Sequence, residues 1–235
     1  MRFEILATDY DGTLAHHGIV DPLTIEAVER LRASGRRALL VTGREIEDLR
    51  LTYSRFDLFD IIVAENGAVL YYPSNGEFKL LHDPPPKRFA DALRQAGIKP
   101  LSVGHVIVAT QEPNDGIVSC WIKELGLDLE IICNKGSVMV LPAGVNKATG
   151  LAAALEECGV SPQSTVAVGD AENDHAFLSF CGFAVAVNNA LPSLKERADF
   201  ITTSSHGRGV SELIDLMIST DLCELSSERS RLVSI

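Results

Sequence analysis

The sequence contains no apolar run of the roughly 20 residues that a membrane-spanning helix needs. Its N-terminus reaches Asp9 after a short apolar stretch, so a signal-peptide hydrophobic region does not fit there. Internal repeats and low-complexity tracts are also lacking. We therefore expect a cytoplasmic protein without a membrane partner.

Cysteine is too sparse and too scattered to form a structural framework. The chain has five cysteines, an odd number without any paired spacing, at positions 120, 133, 158, 181 and 223. This pattern suits neither a set of disulfides nor a thiolate zinc site. We expect all five to be reduced residues that pack in the interior.

Positive charge is scarce, with 21 Lys and Arg against 32 Asp and Glu and a formal net charge of −11. Such a surface repels the phosphates of nucleic acids and anionic lipids, so we expect no nucleic-acid partner. A small anionic substrate stays possible if a local pocket is positive. The 235 residues, 46% of them hydrophobic, suffice for one sizeable core and a modest second domain.

Short apolar strands alternate with helical segments at both ends of the chain. This alternation predicts an α/β fold, a Rossmann-like doubly wound sheet of parallel strands with right-handed crossovers. The predicted strands are 3–8, 38–41, 60–64, 165–168, 183–187 and 199–202. The predicted helices are 22–33, 45–53, 147–158, 173–180, 192–197 and 209–218.

Two proline-containing segments, 84–86 and 142–144, interrupt this rhythm. The residues between them predict a small inserted α+β cap domain, with helices at 88–96 and 115–125 and strands at 103–110, 129–133 and 138–141. We accordingly predict a core domain at 1–82 and 145–218, a cap domain at 83–144, and a polar tail at 219–235 outside the fold.

The first polar cluster, Asp9-Tyr10-Asp11-Gly12-Thr13, directly follows the first predicted strand. Two carboxylates two residues apart can hold a hard cation and leave one oxygen free to attack. An ordinary turn explains this cluster equally well when it is taken alone. A calcium loop does not, because no glutamate stands at the twelfth position.

Three further clusters lie at strand ends or at the start of a helix. Thr42, Gly43 and Arg44 could receive a phosphoryl oxygen, although Thr42 could equally cap the next helix. Lys147 begins a helix, where a lysine is normally a solvated surface charge. The segment from Gly169 to Asp174 holds three acids, which repel one another unless a cation compensates.

Taken in order, these clusters resemble the four motifs of the haloacid dehalogenase superfamily of phosphohydrolases, in its branch of Cof-type phosphatases with an inserted cap. The chain is also similar to the sucrose-phosphate phosphatase group and to phosphoglycolate phosphatases of archaeal type. The matching residues are Asp9 to Thr13 for motif one, Thr42 for motif two, Lys147 for motif three, and Gly169, Asp170, Asn173 and Asp174 for motif four. The stretch Glu65-Asn66-Gly67-Ala68 also resembles that branch.

The resemblance implies a role for each matching residue. Asp9 would attack phosphorus and form an aspartyl-phosphate, and Asp11 would protonate the leaving oxygen and later deprotonate water. Thr42 and Lys147 would complete the catalytic set by holding phosphoryl oxygens. Substrate-binding residues would be Thr42, Gly43, Arg44, Lys147 and Asn173. Mg²⁺ would be held by Asp9, by the Asp11 backbone carbonyl, by Asp170 and by Asp174.

The expected activity is magnesium-dependent hydrolysis of a small phosphorylated metabolite, either phosphoglycolate or a sugar phosphate, by a monomer or homodimer. The short cap favours small phosphorylated acids or modest sugars, with Arg44, Asn134 and Lys135 as candidate contacts. Phosphoryl transfer by a phosphomutase and a non-catalytic magnesium or phosphate sensor are the alternatives. Against the sensor stands the presence of every motif residue. We assign no role to His175 and do not favour a metal site at His16 and His17.

Overall fold

The computed structural model describes residues 1–223 and residue 225, which form two β-sheets and the helices packed around them. The strands are β1 (Ile5–Asp9), β2 (Arg37–Val41), β3 (Ile61–Ala64), β4 (Val69–Tyr72), β5 (Glu77–Leu80), β6 (Ser102–Val103), β7 (Val108–Gln111), β8 (Leu129–Asn134), β9 (Ser137–Pro142), β10 (Thr165–Gly169), β11 (Phe183–Ala186) and β12 (Phe200–Ile201). The α-helices are α1 (Pro22–Ala33), α2 (Ile46–Thr52), α3 (Lys87–Gln95), α4 (Asp115–Glu124), α5 (Lys147–Cys158), α6 (His175–Phe180), α7 (Pro192–Lys195) and α8 (His206–Thr220).

The larger sheet has eight strands in the order β12-β11-β10-β1-β2-β3-β4-β5. Its first six strands are parallel, and every residue of β1 is buried, as layers packed on both faces of a sheet require. The predicted Rossmann-like α/β fold is therefore confirmed. Because β1 lies between β2 and β10, the strand order reverses at β1, and ligands of such sheets bind at that point.

The alternation of strands and helices predicts a parallel sheet, but the larger sheet is parallel only in part. Strands β4 and β5 form an antiparallel hairpin that extends the edge beyond β3, and the sequence analysis had placed no strand there. The run Val-Leu-Tyr-Tyr of β4 is rich in residues that favour strands, and Gly76 supplies the positive φ of 76° that the turn requires. All four residues of β5 are exposed, so this strand lacks the apolar run by which buried strands are found.

The smaller sheet is antiparallel, in the order β6-β7-β9-β8, and α3 and α4 belong to the same part of the chain. It has a hydrophobic cluster of its own, formed by Phe89, Leu93, Ile98, Val108, Val118, Ile122 and Val140. The single strand predicted at 103–110 is wrong, because a turn at 104–107 divides it into β6 and β7. The division of the chain into core and cap domains stays a prediction, which this separate cluster supports.

The segment after residue 218 contributes to the core, contrary to the predicted tail. Helix α8 runs to Thr220, and Leu222 is completely buried. Asp221 accepts a hydrogen bond of 2.9 Å from the buried Arg36 guanidinium. The predicted tail is therefore wrong for 219–222, and its residues 224 and 226–235 lie outside the described residues.

The five cysteines are free, in agreement with the expected reduced state. Their predicted place in the interior is wrong for Cys120, Cys133 and Cys223, which are exposed. Cys158 and Cys181 are partly buried and pack against the core. In the part of the chain that the structure describes, no helix has the length and apolar character to cross a membrane.

The burial of Leu222 predicts that its side chain stabilises the fold. The substitution Leu222→Ala should lower the free energy of unfolding by about 2–4 kcal/mol, because it leaves a cavity in the core. Leu51→Ala is the matched control, since Leu51 is 84% exposed and its loss should change stability by less than about 0.5 kcal/mol. Urea denaturation of both variants measures the difference. Equal stabilities would show that the segment after α8 does not belong to the folded core.

Candidate active site

The four polar clusters meet in a cleft of about 600 Å³ between the two sheets. The core sheet contributes Asp9, Asp11 and Asp170 from the carboxyl ends of β1 and β10, which are adjacent strands. A surface depression beside α8 is larger, at about 760 Å³, but contains none of the four clusters. The cleft at the strand ends is therefore the candidate site.

A buried lysine connects two carboxylates at the base of this cleft. The Lys147 ammonium donates to Asp9 Oδ1 at 2.5 Å and to Asp174 Oδ1 at 2.6 Å, and its side chain is only 2% exposed. Lys147 is therefore not the solvated surface charge that a lysine at the start of a helix normally is. A cation buried this deeply persists because two negative charges surround it.

Burial and neighbouring charge shift the pKa values of this group. Burial, followed by the negative charge of Asp174, raises the pKa of Asp9 to about 7, although Lys147 opposes both effects. Burial disfavours the charged form of Lys147, but Asp174 and Asp9 outweigh it, so that the pKa of Lys147 is raised. The lysine therefore stays protonated and can neutralise negative charge in the cleft.

Two close backbone approaches place Lys147. It is the first residue of α5, which begins with a capping box at Asn146. A Cβ on Gly67 would lie 2.0 Å from the Asn146 carbonyl oxygen, and one on Gly150 would lie 2.5 Å from the Gly67 Cα. Only glycine at both positions lets the start of α5 come this near to the end of β3. Gly67, in the Glu65–Ala68 stretch, is thus required by the close packing of α5.

The loop after β10 is organised by Asp174. Its Oδ2 accepts hydrogen bonds from the backbone amides of Asp170 at 2.8 Å and Ala171 at 2.9 Å. Asp170 accepts a hydrogen bond of 3.3 Å from the Thr13 hydroxyl. Burial raises the pKa of Asp170. The acids of this loop are thus held by hydrogen bonds in addition to any cation.

Asp11 points towards the opening of the cleft, and its side chain is 42% exposed. Both of its oxygens accept from Arg44, at 2.7 and 2.9 Å, and Arg44 also pairs with Asp48 at 2.8 Å. The buried Thr42 hydroxyl accepts from the Arg44 backbone amide at 3.1 Å. Arg44 belongs to the predicted phosphoryl-binding segment. Its ion pair therefore joins that segment to Asp11, the predicted general acid.

Two residues that the sequence analysis missed support the loop after β1. Asn189 and His206 both hydrogen bond to the Gly12 carbonyl oxygen, each at 2.8 Å. Gly12 has a φ of 93°, and a Cβ there would lie 2.3 Å from Asp170 Oδ2. Asn189 follows β11, so the rule of polar residues after strands could have found it. His206 carries no such signal.

Lys135 reaches into the cleft from the turn between β8 and β9. Its ammonium donates to Asp170 Oδ2 at 2.7 Å and to the Asp11 carbonyl oxygen at 3.0 Å. The side chain is 47% exposed, so it is far less constrained than Lys147. The structure thus supports the cap contact that the sequence suggested for Lys135. Asn134, the second candidate from this turn, also lines the cleft.

The remaining predicted residues lie at the same place. Asn173 lines the cleft, donates to Asn66 Oδ1 at 3.2 Å, and has a buried side-chain oxygen without a hydrogen-bond partner. Gly43 lines the cleft opposite Met139 of β9. His175 faces Ser193 instead, and the His16 ring stacks on His206 and contacts the His17 ring. Seven of the nine predicted site residues thus line the cleft. Asp174 is buried and bound to Lys147, and Thr42 is buried with its hydroxyl on the Arg44 amide. The chemical roles of all nine stay predictions.

The donor set fits a hard divalent cation. Carboxylate oxygens of Asp9, Asp170 and Asp174 lie within 4.8 Å of one another. The Asp11 carbonyl oxygen shares Lys135 with Asp170, so it lies close to the same group. Oxygen donors of this kind suit Mg²⁺. Asp174 is held by the buried Lys147 and by two main-chain amides, which cannot move away. Asp170 is held by the Thr13 hydroxyl and by the half-exposed Lys135, which a cation can displace. Asp9, Asp170 and the Asp11 carbonyl are therefore the better placed ligands.

Known proteins are similar to this chain over most of its length. A family model described as haloacid dehalogenase-like hydrolase matches residues 6–98 and 123–214. A phosphoglycolate phosphatase of Methanothermobacter thermautotrophicus is 31% identical over 219 residues, which cover 89% of this chain and 96% of that protein. Phosphoglycolate phosphatase 2 of Saccharolobus solfataricus is 29% identical and covers 92% of both chains.

Solved structures share the fold at lower sequence identity. A haloacid dehalogenase-like hydrolase from Bacteroides thetaiotaomicron aligns with a TM-score of 0.78 and 20% identity, over 92% of this chain and 99% of that one. A sugar phosphatase of subclass IIB aligns with a TM-score of 0.71 and 20% identity, over 90% and 98%. These likenesses extend over both sheets.

The donor set predicts that Asp170 contributes to Mg²⁺ affinity. After treatment with EDTA, isothermal titration with Mg²⁺ should show saturable binding, and Asp170→Asn should weaken it by at least about tenfold. Glu172→Gln is the control, because Glu172 is an exposed acid of the same loop and should leave the affinity unchanged. Equal affinities of the wild type and Asp170→Asn would contradict the proposed ligand.

Proposed function

The chain belongs to the haloacid dehalogenase-like hydrolases and is a phosphatase, and from this we propose that it hydrolyses small phosphorylated acids of the phosphoglycolate class. The reaction would use Mg²⁺ and an aspartyl-phosphate on Asp9. One observation carries the choice of substrate. Among the described residues that line the cleft from the smaller sheet and its loops, Lys135 is a cation and none is a carboxylate. The relatives named phosphoglycolate phosphatase agree with this choice.

The first step is attack of Asp9 on phosphorus. Lys147 holds Oδ1 of Asp9, so the carboxylate is oriented and its second oxygen can attack. The ester bond to the leaving oxygen breaks as the bond from Asp9 forms. Water then cleaves the aspartyl-phosphate, which releases inorganic phosphate and restores Asp9.

Charge on the phosphoryl oxygens must be balanced during both steps. Lys147 is protonated and fixed, and Asn173 lines the same cleft. Thr42, whose buried hydroxyl accepts from the Arg44 amide, would contribute that hydroxyl. Magnesium, held by Asp9, Asp170 and the Asp11 carbonyl, would supply the additional positive charge. These groups act on any phosphate monoester and therefore do not select the substrate.

Asp11 is the group placed to handle the proton of the leaving oxygen. In the structure, Arg44 occupies both of its carboxylate oxygens. This ion pair must open before Asp11 can donate a proton, and an anionic substrate can compete for the guanidinium. Substrate entry and release of Asp11 are thereby connected.

Lys135 is the group placed to bind the leaving group of the substrate. An ammonium on a flexible four-carbon stem can turn from Asp170 to a carboxylate of the substrate in the same cleft. The carboxylate of a phosphorylated two-carbon acid lies close to its phosphate, as this arrangement requires. A neutral leaving group would leave the contact unused.

Sugar phosphates are the second candidate. The cleft holds about 600 Å³, and its polar lining from the cap includes Ser102, Gln111 and Ser137, which can hydrogen bond to hydroxyl groups. Phosphoglycolate and hexose phosphates should therefore be compared side by side. Conversion of a sugar 1-phosphate to the 6-phosphate with little free phosphate would indicate a phosphomutase, and no turnover of any ester would favour a sensor.

The nucleophile is tested by Asp9→Asn. This variant should lose phosphate release from p-nitrophenyl phosphate by about 10⁴-fold or more, since an amide cannot form the intermediate. The measurement is phosphate release with Mg²⁺ present, and circular dichroism serves as the check on folding. Wild-type turnover in a folded Asp9→Asn variant would refute the assignment.

The substrate class is tested by Lys135→Ala. We expect kcat/KM for phosphoglycolate to fall by about 10- to 100-fold, the value of a charge-assisted hydrogen bond. For p-nitrophenyl phosphate, which has no second acid, the loss should be below about threefold. Lys123→Ala, which removes an exposed lysine of α4, is the control. Equal losses on both substrates would contradict the reading of a carboxylate by Lys135.

A further inference from the structure

Glu65 is a buried acid that the proposed reaction does not use. It follows β3, its side chain is 1% exposed, and its φ is 50°. The carboxylate accepts hydrogen bonds from three consecutive backbone amides of the turn between β6 and β7. These come from His105 at 2.9 Å, Val106 at 2.7 Å and Ile107 at 2.7 Å. One carboxylate of the core thus holds an entire turn of the cap.

The turn is shaped to fit this carboxylate. It is closed by a hydrogen bond of 2.9 Å from the Gly104 amide to the Ile107 carbonyl. A Cβ on Gly104 would lie 2.8 Å from Glu65 Oε1, so a side chain there would push the carboxylate away. Val106 and Ile107 are buried in the hydrophobic cluster of the core, and the His105 ring stacks on Phe78 at 4.5 Å.

The backbone beside this carboxylate holds the phosphoryl-binding segment. The Glu65 amide donates to the Arg44 carbonyl at 3.0 Å, and the Asn66 amide donates to the Thr42 carbonyl at 3.0 Å. Glu65 therefore touches the cap through its side chain and motif two through its main chain. It connects the two walls of the cleft without facing the reacting atoms.

The cap sheet transmits this attachment to Lys135. Strand β7 begins at Val108, directly after the anchored turn, and ends at Gln111, which pairs with Ser137 of β9. The turn that carries Lys135 precedes Ser137. The sheet is thus attached to the core at one end of β7 and presents Lys135 to Asp11 and Asp170 beyond the other end.

We propose that Glu65 is a positioning residue that fixes the cap over the cleft and so sets the place of Lys135. The three amides supply the fixed contact, and β7 and β9 carry its effect across the sheet. The attachment of the cap does not depend on the proposed function. The effect on substrate reading does, because it assumes the role of Lys135 in binding an anionic leaving group.

The substitution Glu65→Gln separates this role from packing. Glutamine keeps the shape of the side chain, but its NH₂ group donates where Glu65 accepts from amide N–H groups. At least one of the three amides then loses its partner. Glu157→Gln is the matched control, because Glu157 pairs with Lys79 and Tyr72 on the core, away from the cap.

Hydrogen exchange with mass spectrometry tests the attachment itself. In Glu65→Gln, peptides that contain residues 105–107 and the turn at 134–137 should exchange at least about tenfold faster than in the wild type. Peptides of β10 and α5 should be unchanged, and Glu157→Gln should match the wild type throughout. Unchanged exchange at 105–107, or a uniform increase along the chain, would overturn the proposal.

A double-mutant cycle with Lys135→Ala tests the consequence for the substrate. Glu65→Gln alone should lower kcat/KM for phosphoglycolate about tenfold and for p-nitrophenyl phosphate less than about threefold. In the Lys135→Ala background, it should lower kcat/KM for phosphoglycolate by less than about threefold. Additive losses would overturn the coupling of Glu65 to Lys135. If the wild type does not hydrolyse phosphoglycolate, the proposed substrate fails, while the exchange result still decides the attachment.

Discussion

The site depends on one interaction, the buried contact of the Lys147 ammonium with Asp9 and Asp174. Three carboxylates within 4.8 Å of one another would repel strongly in an interior from which water is excluded. The lysine offsets part of this repulsion and at the same time orients Asp9, the proposed nucleophile. The close packing of α5 against the end of β3 and the hydrogen bonds within the β10 loop keep these groups in place. The chemistry proposed for the cleft follows from this arrangement of charges.

In the proposed function, selection of the substrate depends on a different part of the molecule. The core presents groups that bind a phosphoryl oxygen whatever the ester, whereas the smaller sheet lines the other side with polar side chains and Lys135. For both sets of groups to contact one substrate, the smaller sheet must be held at a fixed distance from the core. The anchored turn at 104–107 meets that requirement through a contact that is independent of the chain connections at 83–86 and 143–146. In this proposal, the groups that bind the phosphoryl oxygens and the group that binds the rest of the substrate lie on different sides of the cleft.

Much of the fold and site could be predicted because polar residues after buried strands converge at one edge of a parallel sheet. This rule found Asp9, Thr42 and Asp170 from local sequence. It could not find β4 and β5, because they form a hairpin at the sheet edge and β5 is exposed, nor the turn that divides the strand at 103–110. The burial of Lys147 and the contacts of Glu65 with the turn at 104–107 could not be predicted either. Both join segments more than 25 residues apart, and local propensity does not encode such tertiary contacts.

The paired glycines at 67 and 150 limit how this sequence can vary. A methyl group on either would collide with main-chain atoms, at 2.0 Å from the Asn146 oxygen or 2.5 Å from the Gly67 Cα. Main-chain atoms cannot rotate aside as a side chain can, so relief would require α5 to shift as a unit and to carry its first residue, Lys147, away from Asp9. We therefore expect substitutions at these two glycines to be tolerated as poorly as substitutions at the acids of the cleft. Neither glycine contributes a functional group. In a mutational scan, they should behave as active-site positions.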